Sequence, residues 1–261
     1  MTDINQSCQV GGVKLHLRRG GHGRPILFLH GAGGVSEWTP FFQELAKSHD
    51  TWVPDHPGFG KSEDPDFIKN MSDLAMFYLD FLDEHAPKEG FDLVGHSIGG
   101  WLAAEIATRN SQHINSVTFV SSAGLRLSGQ PMGDVFIWNA EESVEHLIFD
   151  PLVREKRLNA QPSPEEAEIM VRNKFTFAKL AWHPRLFNPE LKKWLHRIKV
   201  PTQVIWGEHD GLIPQAYAKL WADELKTQEC TILSECSHSP INEKPMETAQ
   251  LINTFLGKLA S

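Results

Sequence analysis

The chain has 261 residues, 41% of them hydrophobic and 22% charged, and carries a formal net charge of −8. That length suits one large α/β domain, or a domain with an insertion, with room for a sizeable core. The acidic balance, with no run of Lys or Arg longer than two residues, argues against nucleic acid and anionic membranes as partners.

No stretch approaches the length of a membrane span, and the polar start Met1-Thr2-Asp3-Ile4-Asn5-Gln6-Ser7 has no apolar h-region, so neither a membrane anchor nor a signal peptide is expected. Three cysteines, Cys8, Cys230 and Cys236, lack C-x-x-C spacing and read as thiols of a reduced, cytoplasmic protein.

In chain order, residues 8–19 read as a strand or hairpin arm. Pro25-Ile26-Leu27-Phe28-Leu29 is a solid apolar run, the pattern of a strand buried on both faces of a parallel sheet. It enters the glycine-rich His30-Gly31-Ala32-Gly33-Gly34. Helical spacing follows over 36–48, then a strand at 51–54 and the turn-rich loop Asp55-His56-Pro57-Gly58-Phe59-Gly60-Lys61-Ser62. Met71 to His85 is an amphipathic helix, with Leu74, Phe77, Tyr78, Phe81 and Leu82 three and four apart. A strand at 91–94, a helix over 101–109 and strands at 116–120, 202–206 and 231–233 come next, and a helix from Met246 to Leu259 closes the chain. This alternation predicts a doubly wound, mostly parallel sheet. The exception is 125–198, which reads as helix after helix, clearest over 134–149 and 163–182. We expect an α/β core over 1–124 and 199–261 and a helical cap over 125–198. Most of the cap's rings (Phe136, Trp138, Phe149, Phe175, Phe177, Trp182, Phe187, Trp194) should pack within it or against the core.

The chemistry centres on Gly95-His96-Ser97-Ile98-Gly99. A G-x-S-x-G arises by chance in about one chain of this length in ten. Here a strand precedes it and a helix follows, the setting in which a sharp turn lifts a serine out as a nucleophile. Gly95 and Gly99 remove the Cβ atoms that such a turn cannot fit. The serine needs a base, and the base needs a carboxylate. In such sites the partners follow in the order acid, then histidine. His238 is the one histidine after residue 210, in the loop after the last strand. Asp210, in Trp206-Gly207-Glu208-His209-Asp210-Gly211, ends the preceding strand and is the acid. Glu208 is a second candidate, Asp223 falls within a predicted helix, and His209 reads as a loop residue. An oxyanion formed at Ser97 needs prepared donors. These are the Ile98 N–H and, from the glycine loop, the Ala32 N–H, with Gly33 as the fallback. No H-E-x-x-H, cysteine–histidine ligand set, Walker loop or G-x-G-x-x-G is present, so neither a metal nor a nucleotide cofactor is expected.

Four segments together resemble the α/β-hydrolase fold superfamily: His30-Gly31-Ala32-Gly33, Asp55 to Ser62, Gly95 to Gly100, and Gly207-Glu208-His209-Asp210 with His238. The resemblance covers nearly the whole chain. It implies an eight-stranded, mostly parallel sheet with a helical lid after the sixth strand. Members with epoxide hydrolase or haloalkane dehalogenase activity carry aspartate where this chain has Ser97. Cofactor-free haloperoxidase-like members usually have an aromatic residue at the position of Ala32 and methionine at that of Ile98. Carbon–carbon bond hydrolases of aromatic ring-cleavage products share the size and lid, but tryptophan typically follows their histidine, where this chain has Ser239. The leading expectation is therefore a carboxylesterase-like serine hydrolase acting on a small-molecule ester. A carbon–carbon hydrolase, a thioesterase or peptidase, and a ligand receptor that keeps the triad are the alternatives.

Overall fold

The computed structural model describes residues 4–260. Residues 1–3, part of the stretch read as lacking a leader, lie outside the described residues. Eight strands form one sheet: β1 (Asn5–Val10), β2 (Val13–Gly20), β3 (Arg24–Leu29), β4 (His49–Pro54), β5 (Phe91–His96), β6 (Ile114–Val120), β7 (Thr202–Gly207) and β8 (Cys230–Leu233). Their order is β1-β2-β4-β3-β5-β6-β7-β8. β2 runs antiparallel to both its neighbours, and every other pairing is parallel. The arm expected over 8–19 is thus two strands, turned by Gly11 and Gly12, both at positive φ.

Alternation explains why the strands read as unbroken apolar runs. Ile26, Phe28, Val94, Val120 and Ile205 face one layer, with α1 (Pro40–Leu45) and α9 (Pro245–Ala260). Leu27, Leu29, Leu93, Val117, Phe119, Val204 and Trp206 face the other. There α2 (Met71–His85), α3 (Ile98–Arg109) and α7 (Ala216–Leu225) cover them, and Trp221 stacks on Phe119 at 4.8 Å. With helices on both faces, successive side chains are all buried.

Between β6 and β7 the chain forms α4 (Ala140–Leu147), α5 (Pro151–Leu158), α6 (Pro164–Ala181) and a 3₁₀ turn (Lys192–Arg197). Two expected helices shorten. The one over 134–149 starts at Ala140, because Asn139 and Glu142 form a reciprocal capping box, and ends before Asp150, which caps α5. The one over 36–48 reduces to α1, which Pro40 opens at its first turn. The rings of the insertion also differ from expectation. Phe177 is buried and stacks on Phe136 at 4.7 Å, but Phe175 is 69% exposed, and Trp182 and Trp194 are about half exposed. Among the described residues no helix is long and apolar enough to cross a membrane.

Candidate active site

Ser97 sits between the last residue of β5 and the first of α3, at φ 56° and ψ −119°. A side chain rarely takes that conformation, and the surroundings hold it from both sides. The Ser97 N–H donates to the Val120 carbonyl (2.9 Å). Its carbonyl accepts from Gly100, Trp101 and Ala123 at 3.0, 3.3 and 3.1 Å. A Cβ on Gly99 would lie on the Leu29 carbonyl oxygen, so only glycine lets α3 start this close to β3.

Three strand ends bring the predicted residues together. His238 Nε2 lies 3.0 Å from Ser97 Oγ, and its Nδ1 lies 2.9 Å from Asp210 Oδ2. The other oxygen of Asp210 accepts the Leu212 and Ile213 N–H groups at 3.0 and 2.8 Å, which fixes the plane of the carboxylate. All three side chains are buried. The β7 and β8 loops are sewn together, the Glu208 N–H donating to Leu233 O and the His209 N–H to Cys236 O, both at 2.9 Å. Glu208 is exposed, with its carboxylate 3.6 Å from His209, and takes no part in this contact. His209 stacks on Phe149 at 4.6 Å.

The glycine loop after β3 lies against the serine. A Cβ on Gly31 would come 3.0 Å from His96 Nδ1 and 3.3 Å from Ser97 Cβ. The Ile98 N–H opens α3, where no intrahelical acceptor exists. Neither it nor the Ala32 N–H meets a protein acceptor among the described residues. A chain of buried rings stiffens this loop. The His56 N–H donates to His30 Nε2 (3.0 Å), so His30 carries its proton on Nδ1 and donates it to Gly31 O (2.7 Å). His56 Nε2 donates to His30 O (3.1 Å), which leaves its Nδ1 to accept from the Tyr78 hydroxyl (2.6 Å). Burial holds both imidazoles below the usual histidine range. The loop after β4, read as a shaped turn, is built around Asp55. That carboxylate meets Arg18 Nη1 at 2.7 Å, His16 Nδ1 at 3.0 Å and the Lys61 N–H at 3.0 Å. Among the described residues no three His, Cys, Asp or Glu side chains gather as a metal site.

Four residues around the site escaped sequence reasoning. His96 Nε2 donates to the His238 carbonyl (2.9 Å), and burial followed by the neighbouring His238 pushes its pKa down to about 3, so it donates as a neutral ring. Asn173, on α6, bonds the loops after β3 and β4. Its one sequence signal is a polar residue on the face that buries Thr176, Phe177 and Leu180. Ser237 Oγ lies 2.8 Å from His146 O and 3.0 Å from His209 O. Glu243 accepts the backbone N–H groups on both sides of His238.

The chain is 26% identical to 2-hydroxymuconate semialdehyde hydrolase of Pseudomonas sp. (strain CF600), over 98% of this chain and 95% of that protein. It is 28% identical to monoacylglycerol lipase ABHD6 of Mus musculus, over 92% of this chain and 78% of that protein. The crystal structure of a bacterial membrane phospholipase A superposes with a TM-score of 0.81 at 22% identity, over 98% of this chain and 86% of that one, a likeness of fold. The sequence model of the Alpha/beta hydrolase family matches residues 26–251, and the chain belongs to that family.

Proposed function

We propose that this hydrolase cleaves carboxylic esters through an acyl-enzyme on Ser97. The observation that carries the reading is the 3.0 Å approach of His238 Nε2 to Ser97 Oγ, with Asp210 behind Nδ1. Asp210 keeps the proton of the neutral imidazole on Nδ1, which leaves Nε2 free to take the serine proton. Ser97 Oγ attacks the ester carbonyl, and the N–H groups of Ala32 and Ile98 receive the oxyanion. Collapse expels the alcohol, which takes the proton from His238. Water, deprotonated by the same nitrogen, then releases the acid and restores Ser97. We place the helices of 125–198 over this site as its cap.

Carbon–carbon bond hydrolysis is the second reading, favoured by the likeness to 2-hydroxymuconate semialdehyde hydrolase. A substrate of that kind brings its own carboxylate, which calls for a cation in the pocket. Ser239, which stands beside His238 where carbon–carbon hydrolases of this fold typically carry tryptophan, supports the ester instead. The experiment is a panel of p-nitrophenyl esters against a ring-cleavage product, with Ser97→Ala beside the wild type. Ester turnover that Ser97→Ala lowers by about 10⁴ supports the proposal. Full activity in Ser97→Ala, or turnover of the ring-cleavage product alone, overturns it.

A further inference from the structure

Glu243 ends α8 (Pro240–Glu243), just past His238. Its Oε1 accepts the Ser237 N–H at 3.0 Å and the Ser239 N–H at 3.3 Å, the two amides that flank the histidine. Its Oε2 accepts the Phe149 N–H at 2.6 Å. Phe149 lies at the corner between α4 and α5, far away in sequence. One carboxylate thus holds the histidine loop with one oxygen and the insertion with the other.

Further contacts join the same two parts. The His146 carbonyl, in the last turn of α4, accepts the Gly211 N–H (3.2 Å) from the loop that carries Asp210. It shares the Ser237 hydroxyl with His209 O. The Phe149 ring stacks on His209, with the planes 20° apart. Neither α4 nor α5 buries a residue. Leu147 packs half-buried against the core, and these polar contacts add to that attachment. They land on the two loops that supply Asp210 and His238.

We propose that Glu243 is a positioning residue that makes the alignment of His238 depend on the docking of the α4–α5 corner, an inference that rests on the triad reading of Ser97, Asp210 and His238. When the corner is seated, Phe149 satisfies Oε2 and the carboxylate is fixed for its grip on Ser237 and Ser239. When the corner leaves, Oε2 loses its donor and turns toward water, and the histidine loop loses its anchor. Gly211 and Ser237 lose the His146 carbonyl at the same moment. A displacement of about 1 Å at such a site costs about 10²-fold in rate. A substrate that holds the corner down therefore raises kcat as well as affinity.

The test uses the intact enzyme and four variants: Glu243→Gln, Phe149→Ala, Phe149→Pro, and Glu243→Gln with Phe149→Pro. Glutamine is isosteric but turns an N–H₂ toward one set of donors. Proline removes the Phe149 N–H, and Ile148 before it is already extended at φ −131° and ψ 130°, as a residue before proline must be. The readouts are the rate constant for Ser97 labelling by a fluorophosphonate, kcat and KM on a p-nitrophenyl ester, and the thermal midpoint. We expect Glu243→Gln to slow labelling and kcat about tenfold with little change in KM, and Phe149→Pro to exceed Phe149→Ala. In the Phe149→Pro background Glu243→Gln should add less than about threefold, because the two changes break one contact. Wild-type labelling by Glu243→Gln, or full multiplication of the two effects, overturns the proposal. If Glu243→Gln does not fold, equal labelling of Phe149→Pro and Phe149→Ala overturns it in the same way. A wild-type enzyme that is not labelled at Ser97 refutes the triad reading itself, a result distinct from either.

Discussion

Asn173 joins Gly33 to the rest of the molecule. Its Nδ2 donates to the Gly33 carbonyl and its Oδ1 accepts the Gly60 N–H, both at 2.9 Å. One buried amide on α6 therefore clamps the loop that carries Ala32 against the loop after β4. Its neighbours hold the same place, Arg172 on the Gly58 and Gly60 carbonyls and Thr176 Oγ1 on Gly58 O at 2.7 Å. Asn173→Ala removes two hydrogen bonds to partly exposed backbone groups and empties a buried side-chain position, so stability should fall by about 1–2 kcal/mol. Ester kcat should fall about tenfold, with KM less affected, because the loop that aims the Ala32 N–H is loosened. Asn173→Asp keeps the acceptor for Gly60 but points an oxygen at the Gly33 carbonyl. It should be at least as damaging as alanine. Urea melts and steady-state kinetics check both, and an Asp variant close to wild type would refute the clamp.

The geometry of the candidate site was legible because each member follows a strand that the sequence marks plainly. Ser97 follows the run to Val94, Asp210 follows Val204–Trp206, and His238 follows Ile232 and Leu233. Runs such as Ile26 to Leu29 are unbroken because both faces of the sheet are covered, which makes parallel strands easy to read. The insertion was harder. Asp150-Pro151 starts α5 just past the helix expected over 134–149, and neither α4 nor α5 has a buried stripe to betray its period. Asn173 and Glu243 were hidden for another reason. Their partners are backbone N–H and C=O groups, which every residue carries, so no pattern of side chains announces the contact.

The start of α3 gives a steric prediction. Gly99→Ala would drive a methyl group into the Leu29 carbonyl, between two segments of rigid backbone. It should cost about 3 kcal/mol or more, or prevent folding. Gly257, within α9, has no neighbour that a Cβ would meet within 4 Å. Gly257→Ala should instead stabilise the protein by about 0.5–1 kcal/mol, through helix propensity alone. Denaturant midpoints for the pair decide the matter, and a tolerated Gly99→Ala would mean that the turn at Ser97 is far looser than its contacts indicate.

Asp55 makes a prediction at acid pH. Burial alone would raise its pKa. The His16 hydrogen bond, then Arg18 and His30, overcome that and hold the carboxyl at about 2. A folded pKa below the unfolded one gives stability that is present above the unfolded value and lost as pH falls through the folded value. The window runs from about pH 4 down to about pH 2, with roughly 2 kcal/mol at stake. Asp55→Asn leaves the buried Arg18 without its counter-charge and should cost about 3 kcal/mol or more at pH 7. Urea midpoints from pH 7 to pH 2.5 should show wild-type stability falling through that window and the variant falling less steeply there.

The buried histidines act at milder pH. His30, His56 and His96 are held low, in each case mainly by burial, with His96 at about 3. His49 is lowered in the same way. Unfolding returns each ring to its usual 6.5, so below that pH the unfolded chain binds protons that the folded chain refuses. Stability is therefore present above about pH 6.5 and drains as the pH falls toward the folded values, by up to about 1.4 kcal/mol per pH unit for each ring. Glu243 runs the other way. Burial raises its pKa, so it contributes stability at low pH that is lost as pH rises through the folded value. One carboxyl offsets only part of what several imidazoles lose. Urea midpoints should decline steadily from pH 7 to pH 5, above the range in which Asp55 titrates. His96→Gln carries an amide that reaches the His238 carbonyl as Nε2 does, without the proton uptake on unfolding. It should flatten the slope by about one proton's worth. A slope equal to wild type would mean that His96 titrates in the folded protein, and that the neutral ring is not what holds the His238 carbonyl.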